Sequence, residues 1–332
     1  MQLYLPISVK ILFLTPAHGK LTTERIIMEI LAAFLLDIVF GDPEWIPHPV
    51  VLMGHWIQWV YGLILKRPRS QQKTLGIVIA ILNCGLTFCI TYFLINKLPP
   101  LLSLAATLYV FYTSLAAKTL ADEGEGVMMK LNSSLEEGRT QLSRIVGRDT
   151  THLSEREIIQ ATVETVAENT SDGIVAPLFY GLLFGPAGAF AYKMINTMDS
   201  MVGYRNERYK EVGYGAAKLD DLANLIPARL TAFLFCVAAG SLESLKRGFR
   251  SVKKFHSAHL SPNAGWPEAA VAGILGIELG GGHFYFGEYV EKPTIGYALK
   301  ESEINDIRCT IDLMWRVTFF FVIICMAIDA LY

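Results

Sequence analysis

An all-α, polytopic integral membrane protein is the fold this sequence predicts, and three observations carry the prediction. Of the 332 residues, 52% are hydrophobic and only 18% are charged, with the apolar residues gathered in blocks. Soluble chains carry roughly 25% charged residues, more evenly spread. Residues 75–96 and 98–117 contain no charge at all, and about 20 such residues in a helix cross a 30 Å hydrocarbon core. Basic clusters at 66–73 (KRPRSQQK) and 245–254 (LKRGFRSVKK) flank apolar runs, as cytoplasmic loops do. About four to seven membrane-embedded segments are expected, with a hydrophilic helical region at 118–173.

The elements follow in chain order. Residues 1–25 lack a signal-peptide layout, because Lys10 interrupts the apolar stretch and Pro6 and Pro16 flank it. They form an N-terminal extension, either a mobile arm or an over-long start with Met28 as the alternative first residue. Residues 26–332 are expected to form one membrane-embedded domain. Residues 26–40 and 50–65 are weaker embedded candidates. Between them, "DIVFGDPEWIPHPVVLMGHWI" (37–57) is a turn-rich cap in which Pro43, Pro47 and Pro49 enforce rigid geometry. His48 and His55 there suit a ligating or proton-shuttling role, although a structural role is the plainer reading.

Residues 121–147 read as an amphipathic helix pair broken near Asn132–Ser134. "LSEREIIQATVETVAEN" then opens with Ser154 as N-cap and Glu157 three residues into the helix, a capping box. Glu157, Glu164 and Glu168 share one face of that helix. Asn169-Thr-Ser-Asp172-Gly173 is expected to end it and to cap a new helix at the start of the apolar run 174–195. The bland reading is a solvated acidic stripe. The sharper reading is a Mg²⁺ site, because hard cations prefer carboxylate oxygen and a helix N-terminus beside it would hold phosphate. Gly181, Gly185, Pro186 and Gly188 make 174–195 a poor straight helix, so a broken, cavity-lining segment competes with a span.

Asn196, Asp199 and Ser200 lie on one face just beyond that run, and an Asp at bilayer depth is a functional suspect by cost alone. Arg205 and Arg208 are suited to phosphate or carboxylate. "KLDDLANLIPARL" (218–230) places Lys218, Asp220, Asp221 and Arg229 at the head of a further apolar run, 222–242. Whether they act on substrate or only satisfy one another is open from spacing. "SPNAGWPEAAVAGILGIELGGGHFYFGEY" (261–289) presents Asn263 and Trp266 before a helix with Pro267 in its first turn. Its aromatic tail is either core or a platform for a flat ligand. The glycine run lacks the P-loop pattern. Net charge is −2, which gives no reason to expect a nucleic-acid partner. The five cysteines form no CxxC pair and read as small buried hydrophobes. There is no internal repeat of the kind many transporters carry.

Five of these stretches, LLDIVFGDPEWIPHPVVLMG, TVETVAENTSDGIVAPLFY, NTMDSMVGYRNERY, KLDDLANLIPARL and SPNAGWPEA, closely resemble the CobD/CbiB family in order and spacing. Members are membrane-bound adenosylcobinamide-phosphate synthases of cobalamin biosynthesis. The resemblance runs from about Ile26 to the C-terminus. It implies ATP-dependent ligation of a propionate carboxyl of adenosylcobyric acid to (R)-1-amino-2-propanol O-phosphate, or to the free amino alcohol, at the inner cell membrane. ATP would be co-substrate and Mg²⁺ the metal, with other enzymes of the pathway as possible partners. On that reading Glu164, Glu168, Asp172 and Asp199 are the metal candidates. Asp199, Lys218, Asp220 and Asp221 are the catalytic ones. His48, Asn169, Asp172, Asn196, Ser200, Arg205, Arg208, Asn263 and Trp266 would bind substrate or phosphate. Two competing readings are a non-catalytic sensor similar to the AmpE proteins and a transporter.

Overall fold

The computed structural model describes residues 23–330 apart from residues 44, 46, 205, 286, 287 and 292, and the side chains of 283–290 and 328–330 lie outside the description too. Most of the N-terminal extension therefore falls outside the described residues. The chain is helical throughout its core, as an all-α polytopic membrane protein. Helices α1 (Thr23–Phe40) and α2 (Pro49–Ile64) flank the proline-rich cap, and α3 (Arg69–Lys97) and α4 (Pro100–Ser114) follow. The hydrophilic region forms α5 (Ala117–Ser133), α6 (Leu135–Leu142) and α7 (Glu155–Thr170). The break between α5 and α6 falls at Ser134, whose hydroxyl accepts from the Glu137 N–H to cap α6. The capping box of Ser154 and Glu157 opens α7 as the spacing requires.

Among the described residues, four helical stretches are long and apolar enough, by length and composition, to cross a membrane: Arg69–Lys97, Pro100–Ser133, Glu155–Val202 and Ile304–Ala327. Outward-facing Leu82, Leu86, Ile90 and Phe93 on α3, Leu101 and Leu102 on α4, and Phe320, Ile323 and Ile324 on the last helix are exposed. Large apolar side chains left outside in such numbers mark a surface built to face lipid rather than water.

The end of α7 corrects a sequence expectation. The chain does not stop at Asn169–Gly173 and start afresh. It passes through a π turn, Ser171–Val175, straight into α8 (Ala176–Val202). The Ala176 N–H bonds back to Ser171 O, five residues earlier, so the amides of this stretch are spent inside the helix. No free helix N-terminus faces a phosphate here. Asn169 turns its amide onto Thr165 O at 2.9 Å instead.

The break comes later and reverses the chain. Gly185 has φ 67° and ψ −164° and is followed by Pro186 inside α8. A β-carbon on Gly188 would lie 2.6 Å from Tyr180 O, and one on Gly181 would lie 3.6 Å from Ala189 Cβ. The rings of Tyr180 and Tyr192 stack with centroids 5.3 Å apart. In a straight helix residues eight and twelve apart are separated by about 12 and 18 Å. So α8 is a helical hairpin with its apex at Gly185-Pro186, where exposed Phe184 sits. Glycine supplies the left-handed φ of the apex, and the small residues at 181, 188 and 189 let the arms touch. Of the readings open for 174–195, the broken segment is what forms.

Helices α9 (Tyr214–Ala223) and α10 (Leu225–Val237) follow. The latter, at 13 residues, is too short to span. Then come α11 (Leu242–Phe255), α12 (Gly265–Leu275), four short strands and α13 (Ile304–Ala330). The strands β1 (Glu278–Gly280), β2 (His283–Tyr285), β3 (Glu288–Val290) and β4 (Thr294–Gly296) pair β1 with β4 and β2 with β3, both antiparallel. This small β element was not expected from the sequence. The free cysteines are partly or fully buried except exposed Cys89, with no disulfide among the described residues.

Candidate active site

The hairpin decides which carboxylates meet. Asp172 in the π turn and Asp199 near the end of the second arm are equally far from the apex, so reversal brings them to the same level. Asp172 is close enough to Asp220, Glu168 and Asp199 to feel all three charges. Glu168, one turn before Asp172, and Asp220 and Asp221 on α9 complete an acidic wall. Two cavities meet at it. One, of about 450 Å³, is lined by Glu168, Asp172, Asp199, Lys218, Asp220 and Asp221, and also by Asn263 and Lys210. The other, of about 440 Å³, shares Glu168, Asp172 and Asp199 and adds Arg148, Asn169, Asn196 and Ser200.

Several polar atoms in the first cavity are buried without a hydrogen-bond partner among the described residues: Asp220 Oδ1, Ser171 Oγ and Asn263 Oδ1. Buried polar atoms are rarely left so, and each calls for a ligand, ion or water. The other half of the Asp220 and Asn263 side chains is anchored. Asn224 Nδ2 donates to Asp220 Oδ2 at 3.0 Å, and the Tyr192 hydroxyl donates to Asn224 Oδ1 at 2.8 Å. Asn263 Nδ2 donates to Asp221 O at 2.8 Å. Burial pushes the Asp220 carboxyl up to about 8, with the Asp199 charge adding to the rise and the Asn224 amide opposing it.

The remaining sequence candidates divide by position. Lys218 Nζ sits 2.6 Å from Asp221 Oδ2, the self-satisfied pair that spacing left open, although both side chains still line the cavity. Glu164, a metal candidate, lines the second cavity but already has protein partners. It forms a buried ion pair with Arg148, the side chains only 7% and 10% exposed, and its Oε1 accepts from Gly280 N at 2.6 Å. Both its oxygens are thereby engaged in tying the α6–α7 loop and β1 to α7. Ser200 donates to Asn196 O at 2.9 Å. Trp266 lies between the His256 ring, at 4.2 Å, and the Arg229 guanidinium, at 4.5 Å, and lines neither cavity. Arg208 stacks on Tyr209 at 5.2 Å and is likewise outside both. Arg205 lies outside the described residues.

His48 belongs to a separate cluster. Its Nε2 is 3.4 Å from Asp42 Oδ1, and Thr119 donates to Asp42 Oδ2 at 2.9 Å. Burial would raise Asp42, but these two partners hold its carboxyl below the usual range. Lys193, on the second arm of the hairpin, lies among Asp42, Asp172 and Asp37 and so stands between this cluster and the acidic wall. Sequence reasoning passed over Arg148, Lys193, Ser171 and Asn224. Lys193 had a signal, being the one charge in an apolar run; Arg148, in a loop, had none.

Among the described residues no group of three or more His, Cys, Asp or Glu side chains could hold a metal ion by itself. Mg²⁺ usually takes one or two carboxylates and keeps water and substrate phosphate for the rest. The wall carries Glu168, Asp172, Asp199 and Asp220, the last with an unpartnered oxygen.

The comparisons now decide the family. The model described as CobD/Cbib protein matches residues 30–314. The chain belongs to the CobD/CbiB family. It is 45% identical over 291 residues to "Cobalamin biosynthesis protein CobD" of Geobacter metallireducens, covering 86% of this chain and 91% of that one. The CobD protein of Listeria monocytogenes serovar 1/2a is 43% identical over 296 residues, covering 86% and 92%. "Cobalamin biosynthesis protein CbiB" of Salmonella arizonae is 42% identical over 294 residues, covering 85% and 91%. No solved structure matches. The family match takes in the hairpin, the acidic wall and α12, so the two cavities belong to the CobD/CbiB portion of the chain.

Proposed function

We propose that this chain acts in cobalamin biosynthesis as an ATP-dependent amide ligase of the inner cell membrane. It joins a propionate carboxyl of adenosylcobyric acid to (R)-1-amino-2-propanol O-phosphate, or to the free amino alcohol, giving adenosylcobinamide phosphate or cobinamide. Supporting this are the names of its relatives and one geometric observation: the hairpin gathers Asp172 and Asp199 with Glu168 and Asp220 on a wall shared by two cavities. An amide ligase needs that division, because an activated carboxylate and an amine must be held side by side in the right geometry.

A carboxylate oxygen is a poor leaving group, so the carboxylate takes a phosphoryl group from ATP. The ammonium of the second substrate gives up its proton, the amine nitrogen attacks the carbonyl carbon, and phosphate departs. Glu168, Asp172 and Asp199 are the side chains that would hold Mg²⁺, which spreads negative charge on the phosphoryl group during transfer. Lys210 and Lys218 also line the first cavity and supply positive charge there, Lys218 beside Asp221. Asp199, Asp220 and Asp221 are the carboxylates within the cavity that can receive the amine proton. Arg148, Asn169, Asn196 and Ser200 give the second cavity a polar lining suited to the other substrate.

The test is purified protein in detergent with adenosylcobyric acid, aminopropanol phosphate, ATP and Mg²⁺, followed by mass spectrometry. The expected product gains the mass of the amine less water and requires ATP. It should disappear in Glu168→Ala and Asp172→Ala variants that remain folded. Folded, monodisperse protein that yields no product and does not bind nucleotide would refute the reading in favour of an AmpE-like sensor.

A further inference from the structure

Helix α11 carries a surface that the catalytic reading does not use. Its outward stripe is Leu242, Lys246, Phe249 and Lys253, with Arg250 and Lys254 alongside, and all of them are exposed. A stripe of basic residues on an outer helix face normally keeps to water, with apolar residues turned inward. Here two large apolar side chains stand among the cations on the outside. Phe249 also packs on Phe233 of α10, ring centroids 6.0 Å apart, and Phe233, Ile226 and Val237 are themselves exposed on α10. The α11 stripe is therefore continuous with a lipid-facing surface. Apolar side chains interleaved with Lys and Arg at the edge of such a surface match the boundary between acyl chains and headgroups.

We infer that the outward face of α11 is a docking surface for anionic phospholipid headgroups. Lys246, Arg250 and Lys253 meet the headgroup phosphates, while Leu242 and Phe249 enter the acyl boundary. Charge complementarity selects the occupant, because the only acid on the helix is Glu243, 3.8 Å from Arg247. Lys254 is partly engaged over the Phe255 and Tyr297 rings, at 4.8 and 5.1 Å, and is left out of the test.

The surface is rigidly tied to the cavities. A β-carbon on Gly273 of α12 would lie 2.4 Å from Ser251 Cβ and 2.8 Å from Arg247 O, so α11 and α12 meet backbone to backbone. Arg247 donates from Nε to Gly273 O at 2.6 Å and from Nη2 to Ile274 O at 2.5 Å. At its other end α12 and the loop before it bring Asn263 and Pro267 to the first cavity and Glu268 to the second. A lipid-anchored α11 thus fixes one wall of both.

The experiment measures binding of phosphatidylglycerol and of phosphatidylcholine to the full chain in detergent by native mass spectrometry. Wild type is compared with K246Q/R250Q/K253Q and with the control K66Q/R67Q/R69Q. At about 1 kcal/mol per basic residue near an anionic surface, the α11 variant should bind phosphatidylglycerol about a hundred-fold more weakly. Its binding of phosphatidylcholine should not change, and the control should resemble wild type. Equal phosphatidylglycerol affinity in wild type and the α11 variant would overturn the inference. So would a parallel loss of both lipids, or stronger retention of inorganic phosphate or an oligonucleotide than of phosphatidylglycerol. If the α11 variant does not fold, a salt titration of wild type decides: a preference for phosphatidylglycerol that survives high salt undiminished rules the surface out.

Discussion

Gly76 to alanine is the most direct test of how the first cavity is held open. Gly76 lies on α3, in the region where α3 crosses the loop leading into α9, the helix that carries Lys218, Asp220 and Asp221. A β-carbon at Gly76 would sit 2.0 Å from Val212 O, 2.9 Å from Val212 C and 3.3 Å from Val212 Cα. The obstructing atoms are backbone, so no side-chain rotation relieves the overlap. From the reverse side, a β-carbon on Gly215 would lie 2.5 Å from Ile77 Cα. Ordinary contact begins at 3.4 Å, so α3 and the loop must separate by more than about 1 Å, at a cost of about 1–3 kcal/mol for overpacking. A displacement of that size passed to Asp220 and Asp221 is enough to cost about 100-fold in turnover. Gly85, on the same helix, meets nothing within 4 Å, and there alanine should be neutral or stabilising by up to about 1 kcal/mol. The assay is thermal unfolding of both variants alongside the ligation rate. If Gly76→Ala matches Gly85→Ala in both, the close crossing does not hold the cavity wall and the argument fails.

Three further outcomes follow from the same geometry. Glu164→Gln leaves Arg148 buried without its anion and should cost on the order of 3–5 kcal/mol, whereas Glu168→Gln should remove ligation with little change in melting temperature; the reverse pattern would exchange their roles. Gly185→Ala forces a side chain into φ 67° at the hairpin apex and should cost about 1–3 kcal/mol, read as a lower yield and melting temperature in detergent. The Asp220 carboxyl is raised to about 8, so the folded state holds its proton more tightly than the unfolded chain. That contribution is fully present below about pH 4, declines as pH rises towards 8, and is absent above it. Asp220→Asn should therefore raise the melting temperature at pH 8.5 and have a smaller effect at pH 5, while ligation is lost; no pH dependence in the difference would contradict the burial argument.

Much of this was legible in residue order. The uncharged runs marked the lipid-facing helices because roughly 20 apolar residues have no other stable placement at membrane depth. The break near Asn132–Ser134 and the Ser154–Glu157 box were readable because helix breaks and caps are local matters. Glu164 and Glu168 with Asp172, then Asp199, then Asp220 and Asp221 stood out as three separate polar stretches beside apolar segments, and only the family resemblance joined them into one site. The β element after α12 was not, since three-residue strands carry too little periodicity to register.

What composition and spacing could not supply was the direction in which α8 turns back. Gly185 and Pro186 announced a break, but a kinked span and a hairpin share that signal. Packing of the small residues Gly181, Gly188 and Ala189 decided between them. The reversal makes neighbours of Asp172 and Asp199, and whether two carboxylates form a site or two surface charges depends on that distance alone. Likewise Glu164 and Glu168 are equivalent on a helix wheel. Only the tertiary structure set Arg148 and the Gly280 amide against the first, at the second cavity alone, and placed the second where both cavities meet. Local sequence thus determined where helices, caps and breaks fall, because their energies are settled within a few residues. The partners of each buried charge were decided by contacts between segments far apart in the chain.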